Sequence, residues 1–217
     1  MSAFLGPIHY WLYSKIQLQQ DIVEELYALG AGRGLTLSEE CESRYGISPN
    51  RPLEEMIDHG NIHGWLQERV SQVEYKYAYS VTRLIHQDMS VKENLKKLLK
   101  SKGSELGRSL QGQVQNAPQL FKVITDNLLD GMPCDHANRI LGQEETEIIW
   151  TRSVCVHSEY WEEVGGDIEL YYELRENWIR GLAEECGFTF EHLDEKTFRL
   201  KTGRSSYSTL TKNFNMI

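Results

Sequence analysis

Residues 61–86 read NIHGWLQERVSQVEYKYAYSVTRLIH, and this stretch decides the fold class. Ile62, Leu66, Val70, Val73, Tyr77, Val81, Leu84 and Ile85 recur at steps of three and four, the period of one helical face, with no proline to interrupt it. Asn61 is of the type that caps a helix N-terminus, and Gly60 breaks what precedes it. A single amphipathic helix therefore runs to about His86, and its apolar stripe requires other helices to cover it.

Working outward, Pro7 suits a first helical position and Gly30 an exit, so residues 7–29 form a second helix. Its apolar stripe includes Ile8, Trp11, Leu12, Ile16, Val23 and Leu26. Gly30 to Gly34 follow a helix, not a buried strand, and read as a turn instead of a phosphate loop. Thr36 with Glu39 and Ser90 with Glu93 match capping boxes for a short helix ending at Gly46 and a helix over 91–102. Pro52 opens a helical turn through His59. Residues 103–117, with three glycines, read as a weak helix or a loop, and Leu120 to Leu129 resume the helical period.

From Glu145 the pattern changes. Ile148, Ile149, Trp150, Val154 and Val156 predict a buried strand. Residues 168–186 suit a helix ended by Gly187, with a strand over 168–174 as the alternative. Phe188 to Glu191 and Thr197 to Leu200 alternate around Asp194-Glu195, the pattern of a hairpin. The expected architecture is α+β and mainly α: a bundle of about five helices over 1–142, then a small antiparallel sheet with one packed helix over 143–202 that shares its core. Residues 203–217 form a polar tail.

Apolar residues make up 40% of the 217-residue chain and charged residues 25%, a globular balance. Lys and Arg total 23 against 32 Asp and Glu, a formal charge of -9 that disfavours nucleic acid and anionic membranes as partners. Lys92, Lys96, Lys97, Lys100 and Lys102 lie at helical spacing and read as a solvated face. Neither a secretory signal nor a membrane span is expected, which places the chain in the cytoplasm with reduced cysteines.

Two Cys-x-His pairs, Cys134 with His136 and Cys155 with His157, carry soft donors two residues apart. If both reach one ion, the set suits zinc or iron, between the bundle and the C-terminal segment. His9 and His63, with Trp65 beside them, are the alternative cofactor ligands, for a haem or another planar group. Cys155 as a thiolate with His157 as base and Asp135 as the orienting carboxylate makes a thiol-dependent hydrolase the further alternative. Tyr171-Tyr172-Glu173-Leu174-Arg175 resembles the Tyr-x-Ser-x-Arg element of haem-based nitric-oxide sensors at its two ends only; Glu173 stands at the serine position, and no family follows from it.

The leading expectation is a metal- or cofactor-binding protein. The second is a small-molecule sensor or interaction module in which an aromatic pocket takes the ligand. A small molecule or metal ion is the expected partner, and an uncovered apolar helix face would pair two copies as a homodimer.

Overall fold

The computed structural model describes residues 4–203. The helix read from the quoted stretch is α3, Ile62–Gln87, with the Asn61 side chain accepting from the Gly64 N–H at 3.1 Å. It follows α1 (Pro7–Ala31) and α2 (Leu37–Tyr45), and precedes α4 (Val91–Ser109) and α5 (Ala117–Asn127). The sheet strands are β1 (Asn138–Gln143), β2 (Glu147–Arg152), β3 (Phe188–His192) and β4 (Thr197–Thr202), with α6 (Ser158–Glu163) and α7 (Ile168–Glu185) between β2 and β3. The fold is α+β and mainly α, as the periodicity requires.

Residues 168–174 belong to α7 and not to a strand. The glycines after Lys102 do not end α4 but let it approach α7. A Cβ at Gly103 would stand 1.9 Å from the Trp178 carbonyl oxygen, and one at Gly181 would stand 2.1 Å from that of Lys100. The two helices pack backbone to backbone, so glycine inside α4 lowers helix propensity by about 1 kcal/mol while permitting the contact. Lys92 and Lys96 then reach Glu173 of α7, and Lys102 reaches Glu25 of α1, so part of the lysine stripe bridges helices. The expected turn through His59 reduces to a 3-10 segment, Leu53–Glu55.

All neighbours in the sheet are antiparallel, in the order β1-β2-β4-β3. Alternation places Ile148, Trp150, Phe188, Phe190, Phe198 and Leu200 on one buried face. Trp150 opposes Phe198, and Phe190 opposes Leu200. This face packs against α5 and α7, and its side chains belong to the same apolar cluster as the bundle. The sheet begins at Asn138, ahead of the boundary expected near Gly142, because β1 carries a register shift between Ile140 and Gly142 and exposes Ile140 and Leu141. An edge strand with little buried surface shows no apolar alternation.

Strand β2 stops at Arg152, short of Val156. The chain then leaves the sheet, Ser153 donating to the Ala137 carbonyl at 2.8 Å, and His157 becomes the residue before α6. Cys155 and His157 therefore do not share a strand face. No helix among the described residues is long and apolar enough to cross a membrane. The tail expected from 203 onward lies, apart from Gly203, outside the described residues.

Candidate functional site

The apolar stripes of α1, α3 and α7 each carry charged or polar residues where the core should be hydrocarbon. Lys15 is buried beside Leu12 and Ile16, Glu74 is buried beside Val73 and Tyr77, and Arg175, with 13% of its side chain exposed, lies beside Leu174 and Trp178. Removing such ions from water costs several kcal/mol each unless they meet partners, and most of them do. The Glu74 carboxylate accepts from Gln19 at 3.1 Å and pairs with His157 Nδ1 at 3.1 Å. His157 Nε2 meets the Tyr171 hydroxyl at 2.9 Å, with Asp130 Oδ1 at 3.8 Å. Arg175 donates to Asp130 at 2.8 Å, to the Leu129 carbonyl at 3.2 Å and to the Tyr171 hydroxyl at 3.3 Å.

This cluster joins α1, α3, α7, the segment after α5 and the turn before α6. Burial alone would lower the His157 pKa, but Glu74 and Asp130 outweigh it and raise it from 6.5 to about 9. Burial would raise the Asp130 carboxyl, but the Arg175 guanidinium and His157 bring it down to about 2. His157 is thus an imidazolium held between two carboxylates. Lys15 differs: its ammonium lies 4.2 Å from the centre of the Trp11 ring and forms no ion pair among the described residues. Burial, only partly offset by Asp130, lowers it from 10.5 to about 8.

Asp130 and Arg175 also line a cleft between α5, α7 and the sheet. Its walls are Phe121, Ile124 and Thr125 on one side and Trp150, Phe190 and Phe198 on another, with Tyr172 and Glu176 from α7. The empty space among them is about 460 Å³, part of it open to solvent, and the interior is narrow. Arg152, at the end of β2, lays its guanidinium 3.4 Å from the centre of the Tyr172 ring. Stacking of this kind contributes about 0.5–1 kcal/mol at an exposed site. Among the described residues Arg152 has no carboxylate partner. Behind it, the Tyr172 hydroxyl donates to Cys155 Sγ at 3.0 Å. Burial would raise the Cys155 thiol, but that hydroxyl and the backbone N–H groups of His157 and Ser158 hold it below its ordinary value.

The residues singled out in the sequence fall into separate places. Cys134 is exposed on a 3-10 turn, and His136 follows it in a left-handed conformation with φ 49°. Cys155 is half-buried against Tyr172, and His157 turns into the core with both ring nitrogens engaged. Among the described residues no three His, Cys, Asp or Glu side chains are arranged to hold a metal ion, so the four expected ligands are not drawn together. Nor do Cys155, His157 and Asp135 form a catalytic chain: Asp135 accepts from the Met132 N–H at 2.8 Å, and the two nitrogens of His157 face Glu74 and Tyr171.

His9 and His63 do meet, Nε2 to Nε2 at 3.3 Å. That separation resembles two neighbouring ligands of a tetrahedral ion with bonds of ~2.0–2.1 Å. The Gly6 N–H, however, donates to His9 Nδ1 at 2.9 Å. In the neutral ring the proton then sits on Nε2 and points at His63, so the pair is a hydrogen bond. Trp65 packs elsewhere, its ring 6.0 Å from that of Tyr13 and beneath Arg69. Sequence reasoning missed Lys15, Glu74, Asp130, Arg152 and Arg175 as site residues. For Lys15, Glu74 and Arg175 the available signal was a charged residue beside the apolar stripe of a helix; Asp130, in the segment after α5, and Arg152, at the end of β2, carried no such signal.

No family model, curated protein or solved structure matches the chain.

Proposed function

We propose that the protein is a small-molecule-binding module, a sensor and not a catalyst, whose ligand seats in the cleft between α5, α7 and the sheet. One observation carries this reading: Arg152 is a guanidinium with no carboxylate partner among the described residues, placed over an aromatic ring at the edge of an aromatic-walled cleft. Pockets of mostly apolar wall with a few convergent polar groups are the usual form of ligand sites. The interior is narrow, so a ligand enters by displacing side chains, and Arg152, which makes a cation–π contact and no ion pair among the described residues, is the side chain placed to move. The buried cluster supports the role of a sensor. It ties five segments together through charges that include two residues of the cleft wall, so a ligand that disturbs Asp130 or Arg175 also acts on α1 and α3 through His157, Tyr171 and Glu74.

The test is a thermal-shift and tryptophan-fluorescence screen of a small-molecule library on the intact chain, repeated on Thr125→Phe. Thr125 is half-buried in the cleft wall, and the added ring fills the space between α5 and the sheet. Compounds that stabilise the parent and leave Thr125→Phe unmoved support the reading. If every compound that binds shifts both proteins alike, the cleft is not the site.

A further inference from the structure

We infer that the ligand is a flat aromatic monoanion, a ring bearing one carboxylate, with the carboxylate on Arg152 and the ring against the Trp150 side of the cleft. This rests on the cleft being a ligand site and adds the chemistry of what it takes. The charge balance of the walls comes first. Four charged side chains line the cleft: Asp130, Arg152, Arg175 and Glu176. Arg175 is neutralised by Asp130 at 2.8 Å, and Glu176 is taken by His192 at 2.7 Å and Arg180 at 4.0 Å. Arg152 alone is left, one positive charge for which the walls supply no counter-ion, and one negative charge on the ligand completes the set.

Shape gives the rest. Arg152 and Trp150 are two residues apart on β2 and so face the same side of the sheet, about 6.6 Å apart along the strand. That step matches an aromatic ring set over Trp150 with its carboxylate reaching one hydrogen bond further to Arg152. Aromatic rings surround Trp150: Phe121 and Trp150 have ring centres 4.9 Å apart, and Phe198 stands 5.5 Å from Trp150. Rings pack on such surfaces in offset or edge-on arrangements that a saturated ring cannot reproduce. The guanidinium is a planar fork that suits a carboxylate through two parallel hydrogen bonds. The Arg152 guanidinium carbon sits 3.4 Å over the Tyr172 ring centre, and its N–H groups have no carboxylate partner among the described residues.

The experiment titrates the intact protein with benzoate, its neutral isostere benzamide, cyclohexanecarboxylate and acetate, following Trp fluorescence and calorimetric heat. Benzoate is expected to bind saturably, benzamide at least about tenfold more weakly for loss of the charge-assisted pair, and acetate most weakly of all. Arg152→Gln is expected to bring benzoate down to the level of benzamide while leaving benzamide within about twofold. Equal binding of benzoate and benzamide by the parent overturns the proposal, as does a preference for benzoate that survives Arg152→Gln. Compounds that bind in a Thr125-dependent way but are neutral or cationic overturn the ligand class and leave the cleft standing. Absence of any Thr125-dependent binding overturns both.

Discussion

Replacing Glu74 with Gln should weaken a pH dependence of stability that the buried cluster creates. His157 and Glu74 are 2% and 1% exposed, so solvent screens their interaction little. Raising an imidazole from 6.5 to about 9 corresponds to about 3 kcal/mol of folding free energy, at ~1.4 kcal/mol per pH unit. The sign follows from proton counting. Above pH 6.5 the folded chain holds a proton that the unfolded chain has released, so the contribution is full below 6.5 and is lost as the pH climbs through 9. Between pH 6.5 and 8 the loss amounts to about 2 kcal/mol.

Two other groups act in the opposite sense. Lys15, lowered to about 8, adds stability as the pH rises from there towards 10.5, and so does the lowered Cys155 thiol as the pH rises above its folded-state pKa. Both are present in Glu74→Gln, so the difference between parent and variant isolates His157. The variant should be about 3–5 kcal/mol less stable at pH 6, the usual result of leaving one member of a buried ion pair alone, and the gap should narrow at pH 8 by up to about 2 kcal/mol, less whatever elevation Asp130 still sustains. Urea unfolding at half-unit pH steps measures it, with imidazole NMR to show one histidine titrating near 9. A gap independent of pH, or no imidazole titrating above 7, would refute the assignment of His157 as a buried imidazolium.

Lys15→Met should stabilise the protein by about 1–3 kcal/mol at pH 7, because a buried ammonium with no ion pair among the described residues is replaced by hydrocarbon of similar length, and the gain should fade by pH 10.5; a loss of stability would show that Lys15 has a compensating partner. Gly181→Ala should cost about 3 kcal/mol, since the new Cβ would stand 2.1 Å from the Lys100 carbonyl oxygen and 2.9 Å from the Ser104 nitrogen. A change under about 0.5 kcal/mol in its urea midpoint would mean that α4 and α7 separate easily.

The parts of the fold legible in the sequence are those whose buried face is long and regular. The stripe from Ile62 to Ile85 and the alternation of Phe188 to Leu200 each bury one side against a continuous core, so period alone identifies them. β1 and α6 were not legible for the converse reason: β1 exposes most of its side chains, and α6 is six residues long with Trp161 its one buried residue. The glycines of α4 were misread because their cause is a backbone 75 residues away, at Trp178. The site failed similarly. Lys15, Glu74, Asp130, His157 and Arg175 meet only after folding, and no local spacing joins them. His157 stood out by its neighbour Cys155, yet the strand that would have aligned the two ends at Arg152, and the imidazole went inward to Glu74.

The most direct measurement is an NMR titration of the five tryptophan indole N–H resonances with benzoate. Saturable movement of the Trp150 resonance in the parent, reduced in Arg152→Gln and absent in Thr125→Phe, is the expected result. Movement confined to Trp11, Trp65, Trp161 or Trp178, with Trp150 still, would contradict a ligand site between α5, α7 and the sheet.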